Sequence, residues 1–384
     1  MTSDDHESPI LVFVFAGKEW PRYVFPSLVL ATKYADASIV VASNLPALPG
    51  LPGVEFLDIA DFYDPQPFLS FAEKSALPAQ FRDGFWLHTV ERFFILEQFM
   101  RFRAQASVFH GELDCLFFGL PSLQRKLEAS GSRGFFFPRE SKDRGIGSLV
   151  YVNDADSLTE LCNHFIRNAG LGSRDASRGN EMHLLGLTPQ DSNTFFALPT
   201  AAALYEATPR NRWPIVSDMD SEVIDGAVLG RWYFGVDPRN TGGRGTRNRI
   251  QNQKYAVPFE YPMSELRFRH VPRTIGIQVR HEDSLHWRTV HCLHVHSKIH
   301  RKISPGKVRR LTRRLNAGRS SWIVLPNFSP QLKSAKRVLR HIRMLATSAE
   351  VRQSQIKRTS SRATNLRKRV RRITSKMRAN GRSA

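Results

Sequence analysis

The chain has 384 residues, 41% hydrophobic and 24% charged, the balance of a folded globular protein with a sizeable core. No apolar run reaches the roughly 20 residues a membrane-spanning helix needs, and the polar, acidic start is unlike a secretory leader. Three scattered cysteines, Cys115, Cys162 and Cys292, with no C-x-x-C, exclude a disulfide scaffold and fit a reducing compartment. The formal charge of +21 is segregated. From Lys298 onward there are 26 Lys and Arg against one acid, Glu350, which leaves 30 bases and 34 acids in the preceding 297 positions. The charge therefore describes the partner of a basic tail and says little about the chemistry of the domain before it.

Ile10 to Ala16 and Ser38 to Ala42 are short apolar runs rich in β-branched and aromatic residues, and the segment Tyr23 to Tyr34 between them has helical patterning. A strand, helix, strand opening is a βαβ unit and points to an α/β sheet. Asn44 to Gly53 is a Pro/Gly loop and Val54 to Ile59 a further strand. Asp83 is placed to cap a long helix whose apolar positions are Trp86, Val90, Phe93, Leu96 and Met100, with Glu91, Arg92 and Gln98 falling elsewhere. Val108 to Phe118 reads as one apolar strand interrupted by Glu112 and Asp114. Pro121 and Gly131 bound a helix, and Phe135 to Phe137 and Ser148 to Val152 are strands. Ser157 and Glu160 have capping-box spacing before a helix ended by Gly170, and Gly172 to Gly179 is a polar loop. Ser217 to Leu229 is acidic and then helical, Asp237 to Arg249 is a Gly/Arg/Asn-rich loop, and Val290 to Val295 is the last strand of the domain. These boundaries divide the chain into a domain over 1–300 and a basic tail over 301–384, within which Ser334 to Ala349 has the pattern of a basic amphipathic helix.

Glu112 and Asp114 stand two positions apart, so on a strand they face the same way, where two carboxylates favour a hard divalent cation between them. His294 and His296 likewise share a face with Cys292 and Lys298, and a neutral imidazole suits a metal already held by carboxylates. An all-histidine zinc site that includes His291 is a second reading of that segment, and a plainly polar strand end is a third. Asp225 precedes the small-residue turn Gly226-Ala227, which fits either a helix cap or a carboxylate close to a ligand. Asp237-Pro238-Arg239-Asn240 has the chemistry of a type I turn, and Arg239 can grip a phosphate bidentately.

The order strand, Glu112-Leu113-Asp114, Leu116-Phe117-Phe118, then Ile146-Gly147-Ser148-Leu149-Val150, resembles the nucleotide-sugar-dependent glycosyltransferases of the GT-A fold. The span of about 80–300 is also similar to a bacterial group of that type carrying H-x-E-x-D, D-G-A, D-P-R-N and H-x-H-S-K. No one motif is specific; their order carries the resemblance. It implies a GT-A-like α/β fold, a single mixed sheet flanked by helices, followed by a basic, partly helical extension. It implies a transferase moving a sugar from a nucleoside-diphosphate sugar to a glycan or lipid-linked acceptor. Mn²⁺ or Mg²⁺ would be held by Glu112, Asp114, His294 and His296. The donor would meet Phe15, Ala16 and Gly17 at the end of the first strand, with Arg92, Glu112, Gly226, Asp237, Arg239 and Lys298 around it, and Asp225 or Glu181 would act as the catalytic carboxylate. This sequence departs from the pattern at Glu112, where the group has Asp, and at Gly226, where a Gln is common; Glu112 then binds metal through water or contacts the donor ribose.

A cytoplasmic location is expected, with the basic tail giving a peripheral hold on an anionic membrane surface. Nucleic acid is disfavoured as the tail's partner because Trp322 and Phe328 are its only aromatics. Two other classes remain on the sequence alone: a nucleic-acid-binding protein acting through the tail, and a metal-dependent hydrolase or phosphotransferase using the same acids.

Overall fold

In the computed structural model, which describes residues 8–79, 81–141, 143–172, 179–189, 192–204, 219–235, 265–296 and 298–317, strand β1 (Ile10–Phe15) is a continuous apolar run because both its faces are covered. Leu11 and Phe13 pack against α1 (Val24–Tyr34) and α4 (Leu120–Ala129). Val12, from the other face, joins α2 (Gln66–Lys74), α3 (Phe85–Phe102) and α5 (Ala155–Asn168). β1 pairs in parallel with β2 (Ser38–Ser43) and β4 (Val108–Gly111), and β2 with β3 (Val54–Asp58). Beyond β4 the sheet turns antiparallel through β8 (Leu149–Val152) and β6 (Phe135–Ser141), with β7 (Arg144–Gly145) at its end and β9 (Phe195–Leu198) parallel to β6. The order is β3-β2-β1-β4-β8-β6-β7. The protein is thus α/β, with a central mixed sheet between helices.

A second sheet, outside the single-sheet expectation, runs β10-β13-β12-β11, with β5 also on β13. Its members are β5 (Cys115–Phe117), β10 (Glu222–Ile224), β11 (Leu266–His270), β12 (Ile277–His281) and β13 (Arg288–His294). Helices α7 (Leu229–Phe234) and α8 (Pro305–Asn316) share its apolar cluster. Within the segment assigned to the basic tail, α8 buries Val308, Leu311 and Leu315 and leaves Arg309, Arg310, Arg313 and Arg314 exposed. The amphipathic stretch Ser334 to Ala349 lies outside the described residues.

Val108 to Phe118 is not one strand. β4 ends at Gly111, the chain turns through Glu112-Leu113-Asp114, and β5 enters the other sheet. Glycine at 111 leaves room for the Phe117 ring as the chain turns back, since a Cβ there would lie 2.8 Å from its Cε1 atom. Two helix starts also differ from expectation. α3 begins after Gly84 (φ 84°), the last of three left-handed residues following Arg82 and Asp83, and Asp83 pairs with Lys18 at 3.1 Å instead of capping the helix. α5 begins after Asp154, and Ser157, one turn in, donates to the Asp154 carbonyl at 2.5 Å.

Candidate metal and diphosphate site

The turn between β4 and β5 sets the acids at the carboxyl edge of the parallel strands. Val12 is in register with His110, so β1 runs out beside Glu112, where ligands of open α/β sheets bind. β5 is antiparallel to β13, with Cys115 opposite His294, and the Val295 amide donates to the Asp114 carbonyl at 2.7 Å. That pairing carries an imidazole across 180 positions of sequence to the acids.

His294 Nε2 lies 2.9 Å from Asp114 Oδ2, and its Nδ1 lies 3.6 Å from Glu112 Oε2. Ligand atoms of Glu112, Asp114, Cys115 and His294 all fall within 4.8 Å of one another. Burial lowers the His294 pKa, which favours the neutral ring, and its two nitrogens face Asp114 and Glu112. Nδ1 faces a Glu112 carboxylate oxygen and is buried with no hydrogen-bond partner. A buried ring nitrogen that faces a carboxylate oxygen at 3.6 Å without a hydrogen bond leaves the cluster open to a shared cation. Two carboxylates and an imidazole are a donor set for a divalent cation, so the residues fit a metal of the kind the resemblance implies.

Arg92 projects from α3 to Glu112, Nη1 to Oε1 at 2.8 Å, and its other nitrogen binds Glu181 at the start of α6 (Glu181–Gly186). One guanidinium is shared by two buried carboxylates. Burial opposes the charge on Glu112, but Arg92, with His294 when protonated and Lys298, holds its pKa down to about 2. At Glu181 burial wins, aided by repulsion from Glu112, and the pKa is pushed up to about 7 despite Arg92. Arg92, expected among the donor-binding residues, is bound by two of the protein's own acids, and Glu181, 3% exposed, is linked to Glu112 through it.

Lys298 Nζ contacts Asp114 Oδ2 and lies 5.0 Å above the Tyr23 ring; burial brings its pKa down to about 8. His296 stacks on His294 with ring centroids 3.9 Å apart, yet its Nε2 turns to the Ala227 carbonyl at 3.2 Å, and it is not one of the four clustered ligands. Cys115, which sequence reasoning passed over as a strand residue, is one of them. Its adjacency to Asp114 was the available signal. His291 leaves β13 on the other side, fully buried between the Phe118 carbonyl (3.0 Å) and Glu222 (2.5 Å), which removes it from any all-histidine site.

Asp225 is 0% exposed. Its Oδ1 accepts from the Leu229 amide at 2.8 Å, and its Oδ2 from the amides of Gly230 (2.7 Å) and His294 (2.9 Å). This is the capping reading, extended to the end of β13, and at 0% exposure neither oxygen is open to an acceptor hydroxyl. Gly226 makes room for Glu140, whose Oε1 would lie 2.6 Å from a Cβ there, and Gly230 makes room for Asp225 in the same way at 2.7 Å. Phe15, Ala16 and Gly17 lie at the carboxyl end of β1 as expected. Asn44 pins Gly17 through two 3.0 Å bonds, and Phe15 stacks on Trp20 at 5.0 Å. Asp237 and Arg239 lie outside the described residues.

No protein-family profile matches the chain, and no curated protein matches it in sequence. Among solved structures it is similar to mouse xyloside xylosyltransferase 1 in its apo form, at 11% identity and a TM-score of 0.32, over 50% of this chain and 85% of that one. The PaToxG glycosyltransferase overlaps at 13% identity and a TM-score of 0.31, over 46% and 66% of the two chains. The glycosyltransferase GlyE of Streptococcus pneumoniae TIGR4 overlaps at 14% and 0.28, over 50% and 45%, so this chain spans less than half of it. Overlap at this level is local; the functional reading rests on the side chains.

Proposed function

We propose that this protein is a metal-dependent glycosyltransferase of GT-A type, moving a sugar from a nucleoside-diphosphate sugar to a glycan or lipid-linked acceptor. The observation that carries the reading is the buried, unpartnered Nδ1 of His294 facing Glu112 at 3.6 Å, beside Asp114. Glu112, Asp114 and His294 would hold Mn²⁺ or Mg²⁺. When bound, that ion supplies Lewis acidity and charge for a departing diphosphate. Arg92 holds Glu112 ionised and fixed in place for this task. Lys298 brings a second positive charge to the same edge of the sheet, where a diphosphate oxygen can accept from it. The Phe15–Gly17 edge is where the nucleoside would lie, as in other open α/β sheets.

Melting curves in the presence of UDP, GDP or ADP, with Mn²⁺ or with EDTA, test this directly. Stabilisation by at least one nucleoside diphosphate only when metal is present, and its loss in Asp114→Ala, is the expected result. An Asp114→Ala chain that responds like the parent refutes the assignment.

The exposed arginines of α8 favour an anionic membrane surface as the place of action, at about 1 kcal/mol per well-placed side chain. No helix among the described residues is long and apolar enough to cross a bilayer. Flotation with phosphatidylserine vesicles is expected to capture the full chain at low salt and release it at high salt. Equal capture by neutral phosphatidylcholine vesicles would rule this out.

A further inference from the structure

Asp114 Oδ2 is fully used by the protein itself. It accepts from His294 Nε2 at 2.9 Å and contacts the ammonium of Lys298, so neither of its lone pairs remains for a third partner. The lysine is also held from behind. Its own backbone is left-handed at φ 54°, its amide donates to the Val295 carbonyl at 2.9 Å, and its Nζ rests 5.0 Å over the Tyr23 ring. A non-glycine residue in that backbone region costs free energy and persists where surrounding contacts repay it. Here the contacts that repay it, the acid and the aromatic ring, both engage the ammonium.

We propose that Lys298 is the resident cation of this cluster, and that a divalent ion enters by displacing its ammonium from Asp114. The inference rests on the cation-site reading above and adds an opposing element to it. The lysine keeps Asp114 neutralised in the cation-free protein, as Arg92 does Glu112, and so weakens binding of a divalent ion on its own. Once displaced, the ammonium lacks an anion, and a diphosphate arriving at the same edge supplies one. Cation and diphosphate therefore favour each other's binding through this one side chain, in equal measure by linkage.

Calorimetric titration of Mn²⁺ into the full chain, with no nucleotide present, tests this in the parent, Lys298→Met, Lys298→Arg and Asp114→Asn. Removing a like charge a few ångströms from the ion is expected to tighten Mn²⁺ binding in Lys298→Met by roughly tenfold or more. Lys298→Arg, which keeps the charge, should stay within about threefold of the parent, and Asp114→Asn should lose binding. In EDTA, Lys298→Met should melt below the parent, and Mn²⁺ should raise its midpoint by more than it raises the parent's. Unchanged or weaker Mn²⁺ binding in a folded Lys298→Met, with parent binding still dependent on Asp114, overturns the inference alone. Absence of Asp114-dependent Mn²⁺ binding in both the parent and Lys298→Met overturns the cation site and the inference together.

Discussion

Replacing Asp225 separates a fold anchor from a catalytic carboxylate. Three backbone N–H groups point at its two oxygens, and nothing else among the described residues competes for them (Leu229 on Oδ1, Gly230 and His294 on Oδ2). In Asp225→Asn the amide oxygen can take either position. Its better choice is Oδ2, which keeps Gly230 and His294 and leaves the Leu229 N–H facing an NH₂ group. One orphaned buried donor costs about 1–3 kcal/mol. Asp225→Ala orphans all three, so its loss should exceed about 3 kcal/mol. Urea unfolding followed by circular dichroism should therefore rank the parent above Asp225→Asn and Asp225→Ala last, with the larger step at alanine. His294 loses its anchor in the alanine variant, so Mn²⁺ binding should weaken with it. If Asp225→Asn unfolds like the parent but no longer turns over substrate, Asp225 touches substrate and the anchor assignment is wrong.

Arg92→Met should cost about 3–5 kcal/mol in urea unfolding, because it strands two buried carboxylates. Adding Glu181→Gln should recover part of that loss, and a double mutant no more stable than the single would show that the two do not interact. Glu222 gives a pH test: burial opposes its charge, but His291 first, with Lys126 and Ser221, brings its pKa from 4.5 to about 2. A pKa depressed in the folded state stabilises above the unfolded value and is lost as protons bind. Stability of the parent should thus fall between about pH 4.5 and pH 2 more steeply than that of Glu222→Gln, and parallel curves would refute the contribution.

What the sequence made legible follows the distance over which its signals act. β1, α1 and β2 were read to within a residue or two because continuous apolar runs and helical spacing are local properties. The meeting of Glu112 and Asp114 with His294 was anticipated from residue types and order, but its cause was not. Alternation along one strand does not align the acids; a turn at Gly111 hands the chain to a second sheet. Leu116 and Phe117 are as apolar as the strand before them, so hydropathy held no sign of that change of sheet. Arg92 looked like a charge on the less apolar side of α3. It is buried because its partners come from 20 and 89 positions away, and only tertiary structure brings them. Asp225 fitted two roles locally, and its third donor, the His294 amide, comes from 69 positions away, beyond the reach of local signals.

Crystals of the full chain grown with Mn²⁺ and UDP, with diffraction recorded at the manganese absorption edge, address the central claim most directly. An anomalous peak coordinated by Glu112, Asp114 and His294, with Lys298 turned toward the diphosphate, is the predicted result. Manganese bound elsewhere, or a diphosphate seated at this edge with His294 Nδ1 still unpartnered, would contradict it.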